Sequence, residues 1–223
     1  GGELAEWSGK IPAANQVALQ RMSTSVGERI LESWLAQAGR RLQKEQKEVI
    51  LEHFQKNGNP LYLKLVFEQA RGWHSYAGAP ELSPDIPGMI SGLFQHLSRE
   101  SNHGQVLVAH SLGYLAAARN GLSEDELIDL LSRDEEVKQD FLRRSPKSPQ
   151  VEGLPVVLWS RLYFDLEPYL SERLADGAAL LNFYHQQVKL AAERDYLTGQ
   201  TGRERHQSLA DYFTQAPLQL ETG

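Results

Sequence analysis

The 223-residue chain contains no cysteine, so disulfides and thiolate-held metals are excluded, and an intracellular, cytoplasmic setting is the expectation. It has no apolar run near the ~20 residues of a membrane span and no recognisable secretory leader, so no membrane partner is expected. It lacks an excess of positive charge. The net charge is −6 and the pI about 5.7, which argues against nonspecific binding to nucleic acid or to an anionic bilayer. Internal repeats and low-complexity tracts are missing too. A phosphate-binding loop fails at Gly9-Lys10, because Leu4 stands where its first glycine belongs and Ile11 where its magnesium-binding hydroxyl belongs. There is no initiator methionine; the opening Gly1-Gly2 reads as the edge of an excised piece. What remains is an ordinary globular composition, 41% hydrophobic and 23% charged, with room for one large or two small domains.

The first half reads as helical. Residues 1–26 are mixed, with a short strand expected around Gln16-Val17-Ala18-Leu19, as the tail of a preceding nucleotide-binding domain or a linker. Ile30, Leu31, Trp34, Leu35 and Ala38 share one face of a helix over 27–41. A second helix, from Gln43 to Lys56, turns Val49, Ile50 and Phe54 inward and stops at Asn57-Gly58. Asn59-Pro60 restarts a helix at once, since Asn is a good N-cap and Pro is favoured in the first helical position. A Gly- and Pro-rich loop over 72–88 carries Trp73-His74-Ser75-Tyr76, and Ile90, Leu93, Phe94 and Leu97 mark the next helix. Asn102-His103-Gly104 breaks it, and the domain boundary is placed there. The break also misaligns His96, His103 and His110, and no metal site is expected from them.

Val106 to Gly113 imitates a strand feeding a hydrolase nucleophile elbow, with Ser111 as nucleophile. Ala109 replaces the first glycine, and the helical reading buries Val108, Leu112, Leu115 and Ala116 instead. Ser123-Glu124-Asp125-Glu126 is a capping box. A helical piece over 134–143 and a Ser-Pro loop follow. Pro155 opens a helix whose inward residues are read as Val157, Leu158, Leu162 and Leu166. Arg161 is its one basic residue, and Asp165 and Glu167 would repel phosphate.

Leu174 to Leu197 organises the second half. Asp176-Gly177 is a two-residue hairpin signal, Ala178 to Phe183 a short strand, and Gln186 onward a helix burying Val188, Ala191, Ala192 and Tyr196. His185 stands where strand hands over to helix. A last helix over Arg203–Phe213 offers Leu209, Ala210 and Phe213 to the core. The fold class is therefore mainly α: a helical bundle subdomain over 27–102, a winged-helix domain with one small β-hairpin over 103–214, and a tail over 215–223.

Phe183-Tyr184-His185-Gln186-Gln187-Val188 resembles the F-x-H-x-x-F/V signature that closes the winged-helix domain of STAND NTPases, the signalling ATPases of NACHT and apoptosome type. Gly58-Asn59-Pro60-Leu61 is similar to the GxP motif of their helical domain, and Asn120 to Leu131 to the second helix of their winged-helix domain. The likeness extends over residues 27–213 and is nearest to NACHT proteins linked to WD repeats. It implies that Pro60 packs on the adenine and that His185 contacts the β-phosphate of ADP, locking a closed state. It also implies ADP or ATP in the intact parent and none in this piece alone. The implied partners are the parent's own nucleotide-binding domain and further copies on activation. Read from the residues alone, Pro60 is a plain helix junction and His185 a half-buried ring bonded to nearby backbone. The rival readings are a winged-helix DNA-binding regulator and the Ser111 hydrolase.

Overall fold

In the computed structural model, the structure describes residues 20–74, 76, 78, 81–147, 153–175 and 177–215. The expected strand near Val17, the failed phosphate loop at Gly9, Asp176 and the tail from 216 lie outside them. By internal contacts the chain divides into two units, Gly1–Asp85 and Ile86–Gly223. The expected boundary near residue 102 therefore moves earlier: the helix Ile86–Leu97 packs with the second unit, against the helices that follow it.

The first unit holds α1 (Thr24–Gln37), α2 (Lys44–Asn57) and α3 (Pro60–Ala70), each packed on the other two. α1 begins earlier than its apolar spacing suggests because Ser23 caps it, accepting the Val26 amide. Leu31, Ile50, Phe54, Tyr62, Leu63 and Val66 are all fully buried. Gly27 lies directly under the Phe54 ring, where any Cβ would collide with it. Between α2 and α3 the chain turns as its sequence demands. Gly58 takes φ 57° in the left-handed region, and Asn59 accepts the Leu61 amide at 2.8 Å.

The second unit holds α4 (Ile86–Leu97), α5 (Gln105–Ala117), α6 (Glu124–Arg133), α7 (Glu135–Arg144), α8 (Val156–Leu166), a 3-10 turn (Glu167–Tyr169), strands β1 (Leu170–Ala175) and β2 (Ala178–Phe183), α9 (Gln186–Tyr196) and α10 (Gly199–Gln215). α5 is the centre. It touches α4, α6, α7, α9, α10 and β2, and its buried residues face every side. A helix apolar all round has no solvent face to show, which is why its sequence resembles a strand. Ser111 sits in the middle of it, fully buried, and the residues leading into it from Gln105 are helical, so the hydrolase elbow does not form.

The hairpin pairs Leu170 with Phe183 through Ala175 with Ala178, antiparallel, and Gly177 at its turn takes φ 82°. Leu122 forms an isolated antiparallel bridge on the other edge of β2, exchanging both backbone hydrogen bonds with Leu181. Gly121, at φ 94°, lets that segment approach Asn182 closely, and the Asn182 amide donates to the Asn120 carbonyl at 3.0 Å. Helix, bridge, helices, helix and hairpin in this order form a winged helix-turn-helix.

Two details differ from the expected core. On α8 it is Trp159 that is fully buried, its indole donating to Glu124 at 3.0 Å, while Val157 is 60% exposed. On α10, Leu209 is buried, but Ala210 and Phe213 are exposed. The buried partner in their stead is Arg205, whose guanidinium donates to the Ala109 carbonyl and lies over the Tyr114 ring.

Candidate functional site

His185 is the N-cap of α9. β2 ends at Phe183, the Tyr184 amide donates to the Tyr169 carbonyl, and His185 keeps extended backbone at φ −136°, ψ 135°. Its carbonyl accepts the first helical amides, from Val188 and Lys189. Its Nδ1 accepts the Gln187 amide at 3.1 Å, the role usually filled by Ser, Asp or Asn. An accepting Nδ1 carries no hydrogen, so the neutral ring holds its proton on Nε2. The residue is therefore tautomer-fixed, with one N–H donor at the far side of a half-buried ring and at a helix N-terminus, where anions are favoured. Behind it, Leu181, Val188, Ala191 and Ala192 anchor strand and helix in the core, and Tyr196 packs on Phe94.

Pro60 lies in the other unit. It is the exposed first residue of α3, followed immediately by buried Leu61, Tyr62 and Leu63. Its ring has a fixed orientation because φ is locked and the Asn59 cap sets the helix start. Tyr62, two residues on, donates to the Ser83 carbonyl at 2.7 Å, and burial, with Asp85 nearby, pushes its hydroxyl up to about 12. Pro60 thus offers an exposed apolar ring face, and His185 an N–H donor at Nε2.

Two further histidines, His103 and His110, are paired with carboxylates. His103 Nε2 lies 2.8 Å from an Asp165 carboxylate oxygen. His110, buried in α5, places Nδ1 at 2.7 Å from Asp134 and Nε2 at 3.0 Å from Glu136, an arrangement in which both nitrogens donate only as imidazolium. The Tyr114 hydroxyl donates to the same Asp134 oxygen at 2.8 Å. Burial would raise the Asp134 carboxyl, but the His110 bond and charge, with Tyr114 and the Val137 amide, outweigh it and hold it at about 2. Burial, then Asp134, raises the Tyr114 hydroxyl, and burial lowers Arg205. This network was not legible beforehand, since only the fold brings Asp134 and Arg205 to α5.

A family model for the "NWD1-like, winged helix-turn-helix domain" matches residues 82–203. The chain is 39% identical over 194 residues to human NACHT domain- and WD repeat-containing protein 1, covering 86% of this chain and 12% of that protein. It is 37% identical over 199 residues to the mouse protein of the same name, 89% and 13% of the two chains. It is 30% identical over 203 residues to mouse NACHT and WD repeat domain-containing protein 2, 89% and 11%. The chain thus spans a small fraction of these relatives. No solved structure matches it. With more than half its length in the family model, and with the bridge, helices and hairpin in the matching order, the chain belongs to the NWD1-like winged helix-turn-helix family of NACHT and WD repeat-containing proteins.

Proposed function

We propose that the chain is the regulatory arm of a NACHT signalling ATPase and holds its parent in a closed, ADP-bound, autoinhibited state. In this reading Pro60 presents a fixed apolar ring to the adenine, and His185 presents Nε2–H to the β-phosphate. The arm senses nucleotide and performs no hydrolysis itself; the phosphate loop and magnesium ligands belong to the parent's nucleotide-binding domain. That domain is its partner, in the cytoplasm, and opening exposes surfaces through which copies of the parent oligomerise. The observation that carries the reading is the His185 cap: by accepting the Gln187 amide, Nδ1 fixes the ring as a donor at Nε2. The exposed face of α8, with Val156, Val157 and Phe164 beside Asp165 and Glu167, further supports a protein surface rather than a DNA-reading one.

A ligand shifts a two-state equilibrium only by its differential contact with the two states. A hydrogen bond to a charged group contributes about 1.5–3 kcal/mol, so losing it shifts the closed state's preference by about one to two decades. The test compares His185→Ala and His185→Asn in the full-length parent, reading the fraction of spontaneously assembled oligomer. Asn restores the helix cap but not the reach of the ring. Both variants are expected to open the parent. If His185→Asn stays as closed as the wild type while His185→Ala opens and melts early, the histidine is a cap and the reading fails.

A further inference from the structure

We propose that α10 is a releasable latch: a helix that leaves α5 as one unit while the rest of the second unit stays folded, baring the Gly113–Tyr114 side of α5. Its sequence gives α10 a thin seam. Over its 17 residues only Gly202, Arg205 and Leu209 are buried, on one narrow helical stripe. Ser208 and Tyr212 are half-buried, and the other residues are exposed. Leu209 is thus the single buried apolar side chain of the longest helix among the described residues. By contrast α9, with 11 residues, buries Val188, Ala191 and Ala192. Segments with few buried apolar contacts open locally and at lower cost than a core.

The middle of the seam is a charge. Arg205 is 5% exposed, its Nη2 donates to the Ala109 carbonyl at 3.2 Å, and its guanidinium carbon lies 5.8 Å from the centre of the Tyr114 ring. Its Nε has no hydrogen-bond partner among the described residues. Burial disfavours the charged guanidinium, and Tyr114, Asp134, Glu136 and Glu204 offset that only in part. A charge held in this way stabilises docking little, because lost hydration cancels much of what its contacts contribute. Arg205 also needs the gap that Gly113 leaves: a Cβ at Gly113 would collide with the Nε and Cδ of Arg205. Further along the helix, the Tyr212 hydroxyl donates to Asp129 at 3.3 Å, and the Arg133 guanidinium lies 4.8 Å from the centre of the Tyr212 ring. The seat of α10 on α5 therefore rests on one leucine, one missing methyl group and one buried charge. Neither Pro60 nor His185 takes part in it, so the latch stands independently of the nucleotide reading.

Native-state hydrogen exchange of the 223-residue chain reads the release. The amides of Arg205, Leu209 and Tyr212 are expected to share one opening equilibrium, about tenfold or more above that of α5 and α9. Three variants separate release from global unfolding. Gly113→Ala should raise the α10 opening by about tenfold or more, since the added methyl group displaces Arg205. Arg205→Met, which keeps an apolar stem without the charge, should lower it by about tenfold. Val188→Ala, in the core beneath α9, should speed exchange in α5 and α9 and leave α10 unchanged, because α9 stays folded when α10 leaves. Four results would each overturn the latch: protection of α10 as high as that of α5; a gradient rising from Arg205 to Tyr212, which marks simple fraying; equal acceleration of α10 by Val188→Ala; or no opposite shift in Gly113→Ala and Arg205→Met.

Discussion

At the scale of single residues, Asp134 shows how one carboxylate serves two structures. One oxygen caps α7 by accepting the Glu136 and Val137 amides; the other takes His110 and Tyr114. With the folded pKa near 2 against an ordinary 3.8, the ionised form stabilises the fold. That contribution is full above about 3.8 and is lost as pH falls toward 2, amounting to roughly 2 kcal/mol. Asp134→Asn keeps the cap and removes the charge. Urea unfolding between pH 5 and pH 2 should therefore show a steeper loss for the wild type than for the variant; identical slopes would contradict the assignment. Ser111 offers the opposite case. Its hydroxyl is buried without a hydrogen-bond partner among the described residues. Ser111→Ala removes a group whose burial is uncompensated and is expected to leave stability equal or up to about 1 kcal/mol higher. A loss beyond about 1 kcal/mol in denaturant melts would mean that the hydroxyl is satisfied in solution.

At the scale of elements, the capping box before α6 closes both ways. The Ser123 amide donates to Glu126 at 2.7 Å, and the Glu126 amide to the Ser123 hydroxyl at 3.2 Å. Ser123→Ala should cost about 1 kcal/mol. Leu181 is different in kind: it joins β2 to Leu122 and is 3% exposed, so Leu181→Ala should cost roughly 2–5 kcal/mol. Thermal unfolding of the two variants ranks them, and the reverse order would contradict the placement of the hairpin. Elements bounded by local chemistry were legible in the sequence: the Gly58-Asn59-Pro60 junction, this capping box and the helix after His185 each depend on neighbours only a few residues away. Those set by distant contacts were not. The bridge at Leu122 exists only because β2 arrives beside it, and α4 joins the second unit through α5 and α9, elements that follow it in the chain. Val157 and Phe213 were misassigned because apolar periodicity marks two adjacent faces of α8 and α10, and packing partners exist for one. The position of His185 and a bond from its ring to nearby backbone could be read, but not that this bond caps a helix, since Ser, Thr, Asp and Asn are the expected caps.

At the scale of the whole molecule, the two candidate contacts lie in different units, and the proposal asks only one contact of each. One apolar ring and one N–H donor do not cradle a pyrophosphate, so the 223-residue chain alone should bind ADP weakly or not at all. Micromolar binding by calorimetry would reveal a site unaccounted for. The central claim, that His185 reaches the β-phosphate, is tested most directly in the full-length parent by a nucleotide comparison. Dissociation constants for ADP and AMP are measured for the wild type and for His185→Asn, whose retained helix cap removes the stability effect. The account predicts that ADP weakens about ten- to hundredfold in the variant while AMP, which lacks that phosphate, is unchanged. Equal weakening of both nucleotides, or of neither, would contradict it.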